Sequence, residues 1–211
     1  MVRNRLEIVV SNLEDREPKP MDDRELAEAA KNGDEGAFGA LVERYAGGVH
    51  RVVSRMLGDE EEAWDVVQMA WLRAWQRLGK YNRRWSFSTW IYRIATNLAI
   101  DVIRARSSRE RAHREGGSVW LRPAPAPDGS AVLANEREIE QVLSRLVVCL
   151  SPQQRAAFIL REVEGLDTSA VARVLGCSAA TVRNHIFHAR RALKKELARR
   201  FPEYVPGHGG S

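Results

Sequence analysis

The spacing of apolar residues is the strongest constraint on the fold, because they recur every three or four positions through the first hundred residues with little alternation of period two. In the clearest stretch, which begins near residue 34, the apolar positions are Phe38, Leu41, Val42, Tyr45, Val49, Val52, Val53 and Met56. This spacing places apolar side chains on one face of an α-helix. Further helices are expected from about residue 22, from 59 to 78 and from 86 to 106. The sequence therefore predicts an all-α protein.

The composition changes in the middle of the chain. Residues 107–135 contain the segment RPAPAPDGS, and such a density of Pro and Gly is typical of a linker. The helical pattern resumes near its end. We therefore expect two small helical domains, at 22–106 and 136–200, joined by a flexible linker at 107–135. Residues 1–21 would form an N-terminal extension and residues 201–211 a C-terminal tail.

Charge is segregated along the chain, whose net charge is +5. Residues 22–65 contain 12 acidic and 5 basic side chains, whereas residues 73–114 contain 11 basic and 2 acidic ones. Residues 181–200 are again basic, with 7 basic side chains and 1 acidic one. Because phosphate neutralisation supplies most of the non-specific affinity for nucleic acid, two basic zones predict two contacts with a polyanion. The acidic segment in front needs a different partner or none.

Several classes of protein are excluded by what the sequence lacks. No apolar run approaches the roughly 18 residues of a membrane helix, and the first 20 residues lack the apolar region of a secretory signal. We therefore expect a cytoplasmic protein without membrane insertion. Cys149 and Cys177 are too few for a disulfide framework. His185 and His188 beside Cys177 suggest a metal site, but a fourth ligand is missing, so we expect no metal.

Catalytic patterns are also missing from the sequence. It contains no Ser/His/Asp arrangement and no phosphate-binding Gly loop. We therefore expect neither enzymatic activity nor a cofactor.

The segment 168–197 has the pattern of a helix-turn-helix. Gly176 supplies the turn between two predicted helices, and Ser178 is a suitable N-cap for the second helix. In a helix-turn-helix the N-terminal part of the second helix meets base edges in the major groove, where Arg pairs with guanine and Asn with adenine. An ordinary helical hairpin with a solvated basic face is the alternative. The candidate DNA-reading residues are Thr181, Arg183, Asn184, Phe187, His188 and Arg191.

The predicted helix that begins near residue 85 has two faces. One is a core stripe made of Ile91, Ile94, Ala95, Leu98 and Val102. The other carries aromatic, amide and charged side chains, which are Trp90, Arg93, Asn97, Asp101 and Arg104. Aromatic and amide groups among arginines suit unpaired bases, which proteins hold by stacking and by hydrogen bonds to their exposed edges. The pattern alone leaves open that the tryptophans of this region are simply core.

Three motifs stand in one order along the chain. They are DEEEAWDVVQMAWLRAWQRL, then WSFSTWIYRIATNLAIDVIRARSSR, and after the predicted linker LSPQQRAAFILREVEGLDTSAVARVLGCSAATVRNHIFHARRALKKEL. In this order they resemble an extracytoplasmic function (ECF) sigma factor of the sigma-70 family. The resemblance implies that residues 22–106 correspond to region 2 and residues 136–200 to region 4. It also implies a protein that binds core RNA polymerase, directs it to promoter DNA and helps to open the minus-10 region. The family commonly has an anti-sigma factor as a further partner.

The resemblance implies roles for individual residues. The surface that docks on the clamp coiled coil of polymerase would comprise Asp65, Gln68, Trp71, Leu72 and Trp75. The minus-10 region would be read and opened by Trp90, Arg93, Asn97, Asp101 and Arg104. The loop that accepts an extruded base would contain Tyr81, Asn82 and Trp85. The helix-turn-helix would read the minus-35 element through Thr181, Arg183, Asn184, Phe187, His188 and Arg191.

Two departures from the family pattern bear on these roles. Many relatives have an acidic residue where this chain has Met69, so one polar contact with polymerase is expected to be missing. Relatives often read TVRSRIFRAR where this chain reads TVRNHIFHAR. The minus-35 preference is therefore expected to differ at Asn184, His185 and His188.

Two rival functions can be weighed against the sequence. One is a stand-alone helix-turn-helix regulator whose first half is a sensor or a dimerisation domain. Such a domain has no reason to carry the D-x-x-Q pattern of Asp65 and Gln68 beside an exposed Trp/Leu surface. The other is an enzyme with a DNA-binding appendage, which the lack of a catalytic constellation argues against.

Overall fold

A computed structural model of the chain describes residues 21–115 and 133–204, and within these ranges it contains helices and no strand. The helices are α1 (Asp23–Lys31), α2 (Glu35–Leu57), α3 (Glu60–Arg77), α4 (Phe87–Glu115), α5 (Leu133–Val147), α6 (Pro152–Phe158), α7 (Thr168–Leu175) and α8 (Ala179–Arg200). Short 3₁₀ turns at Leu78–Lys80 and Pro202–Tyr204 follow α3 and α8, and a π-helical turn at Ile159–Val163 continues α6. None of the helices in the described ranges is long and apolar enough to cross a membrane. The predicted all-α fold is confirmed.

Helix starts and ends are set by local side-chain and backbone chemistry. Asp22 and Glu25 form a capping box at the start of α1, and Ser151 and Gln154 form another at the start of α6. A capping box satisfies backbone N–H groups that have no partner inside the helix. Helix α7 ends at Gly176, whose φ of 66° lies in the left-handed region that glycine adopts without strain.

Helices α1 to α4 pack around an apolar core in the first half of the chain. The apolar stripe predicted in α2 supplies much of it, and Phe87 and Ile91 of α4 are fully buried against it. Phe38 and Tyr45 of the same stripe are only partly buried. The residues of the stripe that are fully excluded from solvent are Leu41, Val49, Val52, Val53 and Met56.

Helix α4 is longer than the sequence pattern predicts. We expected it to end near residue 106, but it continues to Glu115. The reason is local, since the segment SSRERAHRE at 107–115 contains no Pro or Gly and consists mostly of residues that a helix accommodates. The predicted helix end near residue 106 is therefore wrong, and the linker boundaries stay a prediction. The remainder of the predicted linker up to residue 132 lies outside the described residues, as do residues 1–20 of the N-terminal extension and residues 205–211 of the tail.

The second half of the chain, helices α5 to α8, packs directly against the first. Helices α6 and α7 contact α4, α5 contacts α2, and one apolar core runs through both halves. Arg155 of α6 is only 6% exposed and donates a hydrogen bond of 2.9 Å to the carbonyl oxygen of Met56 at the end of α2. Arg55 of α2 forms ion pairs with Glu164 and Glu140 of the second half. We call this the closed arrangement, which no pattern in the sequence indicates.

Candidate interfaces for protein and nucleic acid

One face of α3 is open to solvent. Asp59 caps the start of the helix, and its carboxylate accepts a hydrogen bond of 3.1 Å from the backbone of Glu62. Its core side is formed by small and branched residues, including Ala63, Val66, Val67, Ala70 and Ala74. Because that side is buried, the opposite side presents the D-x-x-Q pattern together with large apolar groups. The exposed predicted residues there are Asp65, Gln68, Leu72 (49% exposed) and Trp75 (38% exposed).

Trp71 behaves differently from the other residues predicted for this surface. Its ring makes an edge contact with Phe38 at 5.9 Å between centroids and stacks on Phe87 at 6.4 Å. Its indole nitrogen Nε1 is buried and has no hydrogen-bond partner. Trp71 is therefore directed to the core of the first half rather than to the open face of α3, because its helical position turns it towards α2 and α4.

Two further apolar residues of α3 are exposed, although neither was predicted to lie at an interface. Trp64 is 51% exposed and packs against His50 at 4.1 Å between ring centroids, and Met69 is 43% exposed. The signal for Met69 was in the sequence, because it stands four positions after Asp65 and three before Leu72, which places it on the same helical face.

The loop between α3 and α4 is held in a defined shape. Tyr81 is only 3% exposed, and its hydroxyl donates a hydrogen bond of 2.8 Å to the carbonyl oxygen of Trp85. The Asn82 side chain accepts a hydrogen bond of 3.0 Å from the backbone of Arg84. Burial raises the pKa of Tyr81, so the hydroxyl remains a donor. Trp85 is 44% exposed at the rim of this loop, whereas Tyr81 supports the loop from inside and is not presented to a ligand.

Helix α4 presents the predicted polar face as a row. Arg93, Asn97, Asp101 and Arg104 are exposed, while Trp90 is half-buried between Tyr81 and Phe87. The opposite side of α4 is buried, with Ile91, Ala95, Leu98 and Ala99 in the core. The face therefore offers hydrogen-bonding and cationic groups on a rigid helix.

A cavity of about 380 Å³ lies between α3, the loop that follows it, α4 and α7. Five residues predicted to contact unpaired bases line it, namely Asn82, Trp85, Trp90, Arg93 and Asn97. Four further cationic side chains, none of them predicted from the sequence to contact DNA, also line the cavity: Arg73, Arg77, Lys80 and Arg173. The first three were visible as basic positions spaced by four and three. Arg173 could not be found this way, because it comes from the second half of the chain.

The helix-turn-helix forms as predicted, with α7, the turn at Gly176 and α8. Ser178 caps α8 by accepting a hydrogen bond of 3.0 Å from the backbone of Thr181. Thr181 is itself half-buried, and its hydroxyl lies 2.8 Å from that of Ser178, so it belongs to the cap as well as to the start of the reading helix. The core side of α8 is formed by Val182, Ile186, Ala189 and Leu193.

The outward side of α8 carries the other predicted reading residues. Arg183, Asn184, Phe187, His188 and Arg191 are all exposed. Phe187 is 61% exposed, so its ring is available for contact with a ligand. His185 is half-buried, and its pKa is lowered by burial and by the nearby His188.

Each half of this chain matches a known protein family. Residues 41–109 match the sigma-70 region 2 family and residues 140–193 match the sigma-70 region 4 family. The RNA polymerase sigma-H factor of Pseudomonas aeruginosa is 36% identical over 183 residues, which are 83% of this chain and 93% of that protein. The ECF RNA polymerase sigma-E factor of Escherichia coli is 33% identical over 184 residues, which are 83% and 94% of the two chains.

A solved structure is also similar to this one. The structure of CnrH in complex with the cytosolic domain of CnrY aligns with a TM-score of 0.64 and 25% sequence identity, and it covers 84% of this chain and 98% of that chain. The match in sequence therefore extends to the arrangement of helices. With region 2 and region 4 in the predicted order and relatives similar over most of their length, the chain belongs to the ECF group of the sigma-70 family of RNA polymerase sigma factors.

Proposed function

We propose that the chain binds core RNA polymerase through the open face of α3, which comprises Asp65, Gln68, Met69, Leu72 and Trp75. The observation that supports this most directly is that one solvent-exposed face combines a carboxylate and an amide with large apolar side chains. Exposed apolar groups of this size, placed beside polar ones, are typical of a protein interface. The first half of the chain, residues 22–106, would thus act as region 2.

In this proposal, α4 and the loop before it read and open the minus-10 region of the promoter. Trp85 and Trp90 supply aromatic surfaces, and Asn97 and Arg93 supply groups that bind base edges and phosphates. Extruding a base costs a few kcal/mol, which stacking worth about 1–3 kcal/mol per base offsets. Binding energy alone can therefore open the strands, and we propose that the protein itself catalyses no covalent step and needs no cofactor.

The minus-35 element is read by α8 of the second half, residues 136–200. Its outward side chains Arg183, Asn184, Phe187 and His188 are already exposed in the closed arrangement. Arg and Asn side chains suit guanine and adenine in the major groove, and Phe187 suits a thymine methyl group.

Reading of the minus-10 region requires the closed arrangement to open. A Cβ atom at Gly176 would stand 3.1 Å from a guanidinium nitrogen of Arg93, so the turn of the second half lies against this face. At the other end of the face, Arg104 donates a hydrogen bond of 3.4 Å to Gln153. A DNA strand laid along α4 would have to displace both contacts. We propose that polymerase holds the two halves apart.

Partners and place of action follow from the same proposal. Because it acts on RNA polymerase and promoter DNA, the chain works in the cytoplasm. CnrH, which is similar, was solved in complex with the cytosolic domain of CnrY. This supports a further protein partner, for which we propose an anti-sigma factor because the family commonly has one.

The proposal is tested by reconstitution of the chain with core RNA polymerase and transcription from a library of random promoter sequences. We expect initiation from a subset that shares two spaced elements. Absence of initiation from every sequence would contradict the proposed function, and binding to DNA without polymerase as tightly as with it would favour the stand-alone regulator.

A further inference from the structure

The cavity between α3, α4 and α7 is strongly cationic. Arg73, Arg77 and Lys80 reach it from the end of α3, Arg93 from α4 and Arg173 from α7. None of the described residues that line it carries a carboxylate. Like charges gathered in one cavity repel each other, so an anion that enters it gains attraction to all of them.

These cations also differ from other arginines of the chain in their partners. Arg55, Arg106 and Arg190 each form an ion pair with a glutamate. Among the described residues, by contrast, no carboxylate forms an ion pair with the cationic side chains of the cavity, and Arg173 donates only to the hydroxyl of Ser169, at 3.0 Å. Within the described residues, these cations therefore lack a direct carboxylate partner, and Asp167 approaches Arg173 only through the hydroxyl of Ser169.

The remaining lining residues suit a nucleobase. Trp85 and Trp90 offer aromatic rings, and the amides of Asn82 and Asn97 offer both donors and acceptors. The volume of about 380 Å³ falls within the range of about 300–1,000 Å³ that small-molecule sites occupy. Phosphate-binding cations and base-binding groups thus share one cavity.

We propose that this cavity binds a phosphorylated nucleotide in the closed arrangement, with its base at Trp85 and Trp90 and its phosphates among Arg73, Arg77 and Arg173. The inference rests on the proposed function, because the lining includes residues assigned above to the minus-10 region. Since Arg173 belongs to the second half, a bound nucleotide bridges the two halves and keeps α4 from promoter DNA.

Titration of the full chain, without polymerase, tests the inference. ATP, adenosine and pyrophosphate are added in turn, and binding is followed by calorimetry and by tryptophan fluorescence. We expect saturable binding of ATP, with adenosine and pyrophosphate each at least about tenfold weaker because each lacks one half of the contacts. No saturable binding of ATP, or equal affinity for ATP and pyrophosphate, would overturn the proposed nucleotide site.

Variants of the cationic side chains make the test specific. Arg173→Ala and Arg77→Ala should each weaken ATP binding by about tenfold, since each removes one charge-assisted contact to phosphate. Lys195→Ala is the matched control, because Lys195 is exposed on α8 and does not line the cavity. ATP binding by Arg173→Ala and Arg77→Ala as tight as by the wild type would contradict the inference.

Transcription separates this inference from the proposed function. Arg173 is not among the proposed promoter or polymerase contacts, so Arg173→Ala should transcribe with core polymerase as the wild type does. Nucleotide that is added before the holoenzyme is assembled should inhibit Arg173→Ala less than the wild type. If the wild type transcribes normally but does not bind nucleotide, only the nucleotide site is overturned. If the wild type binds nucleotide but does not support transcription, only the proposed function is overturned.

Discussion

Arg55 and Glu164 form an ion pair across the two halves of the chain, although they stand 109 positions apart in the sequence. The Glu164 side chain is only 7% exposed, and it also lies 3.6 Å from the guanidinium of Arg51. Glu140 adds a second carboxylate to Arg55 at 3.1 Å. A carboxylate this well buried needs its cationic partners, so the closed arrangement depends on them.

Glu164→Ala should therefore favour the open chain. We expect the closed arrangement to lose about 1–3 kcal/mol of stability relative to the open one. This is less than the roughly 3–5 kcal/mol that breaking a fully buried pair costs, because Arg55 is partly exposed. Small-angle scattering should show a larger radius of gyration. The control is Glu162→Ala, which removes an ion pair with Arg190 inside the second half. Equal dimensions of Glu164→Ala and the wild type would contradict this role.

Two tryptophans of α3 should separate stability from polymerase binding. Trp71→Ala should lower the free energy of unfolding by about 2–4 kcal/mol, because its ring packs on Phe38 and Phe87. Trp75→Ala should cost less than half of that but should weaken polymerase binding more. Urea denaturation and a polymerase affinity measurement provide the two readings. If Trp75→Ala lowered the free energy of unfolding more and Trp71→Ala weakened polymerase binding more, Trp71 and not Trp75 would lie at the interface.

Stability should fall at high pH. Burial raises the pKa of Tyr45, Tyr81 and Tyr92 above the ordinary value of 10. Above that value the unfolded chain releases protons that the folded chain retains, so stabilisation that is complete below pH 10 is lost as the pH rises towards the folded pKa. Burial also raises the pKa of the Cys149 and Cys177 thiols, which act in the same direction as the tyrosines. Arg155 acts in the opposite direction, since burial lowers its pKa to about 10.

Urea titrations between about pH 9 and pH 11 test this dependence. The free energy of unfolding should decrease over that range, and Tyr92→Phe should make the decrease shallower, by about 1.4 kcal/mol for each pKa unit by which the folded Tyr92 exceeds the unfolded one. A free energy that stays level or rises with pH would show that the tyrosines are not protected in the folded chain.

The loop before α4 offers a test of promoter opening. Trp85→Ala should slow open-complex formation by about 5- to 150-fold, which corresponds to the loss of about 1–3 kcal/mol of base stacking. Tyr81→Phe should have a smaller effect, because it removes only the hydrogen bond to the Trp85 carbonyl oxygen. Permanganate reactivity of unpaired thymines follows the opening. An effect of Tyr81→Phe as large as that of Trp85→Ala would mean that the Tyr81 hydroxyl contacts DNA.

The helices could be predicted because their burial pattern is local. The spacing of Leu41, Val49 and Met56 in α2 reports which side faces the core, and Ser178 and Gly176 report where the reading helix starts. The predicted end of α4 was wrong because the average composition of a stretch does not show where a helical segment stops and the Pro-rich segment after it starts.

Other features depend on contacts between distant residues. Trp71 and Trp75 both occur in the same motif and both contact Phe38, and only the position of α4 decides that Trp71 also stacks on Phe87. Tyr81 is buried because the ring of Phe87 and the carbonyl oxygen of Trp85 surround it. The closed arrangement and the place of Arg173 in the cavity likewise follow from the packing of α7 on α4, which no local pattern encodes.

The open face of α3 is the central element of the proposed function, and transcription with core polymerase measures it most directly. The variant Asp65→Ala with Gln68→Ala should require at least about tenfold more protein to give the wild-type amount of transcript, because both polar contacts of the interface are lost. Glu43→Ala with Glu110→Ala is the control, since both carboxylates are exposed and belong to other helices, α2 and α4. Wild-type transcription by the α3 variant would contradict the account.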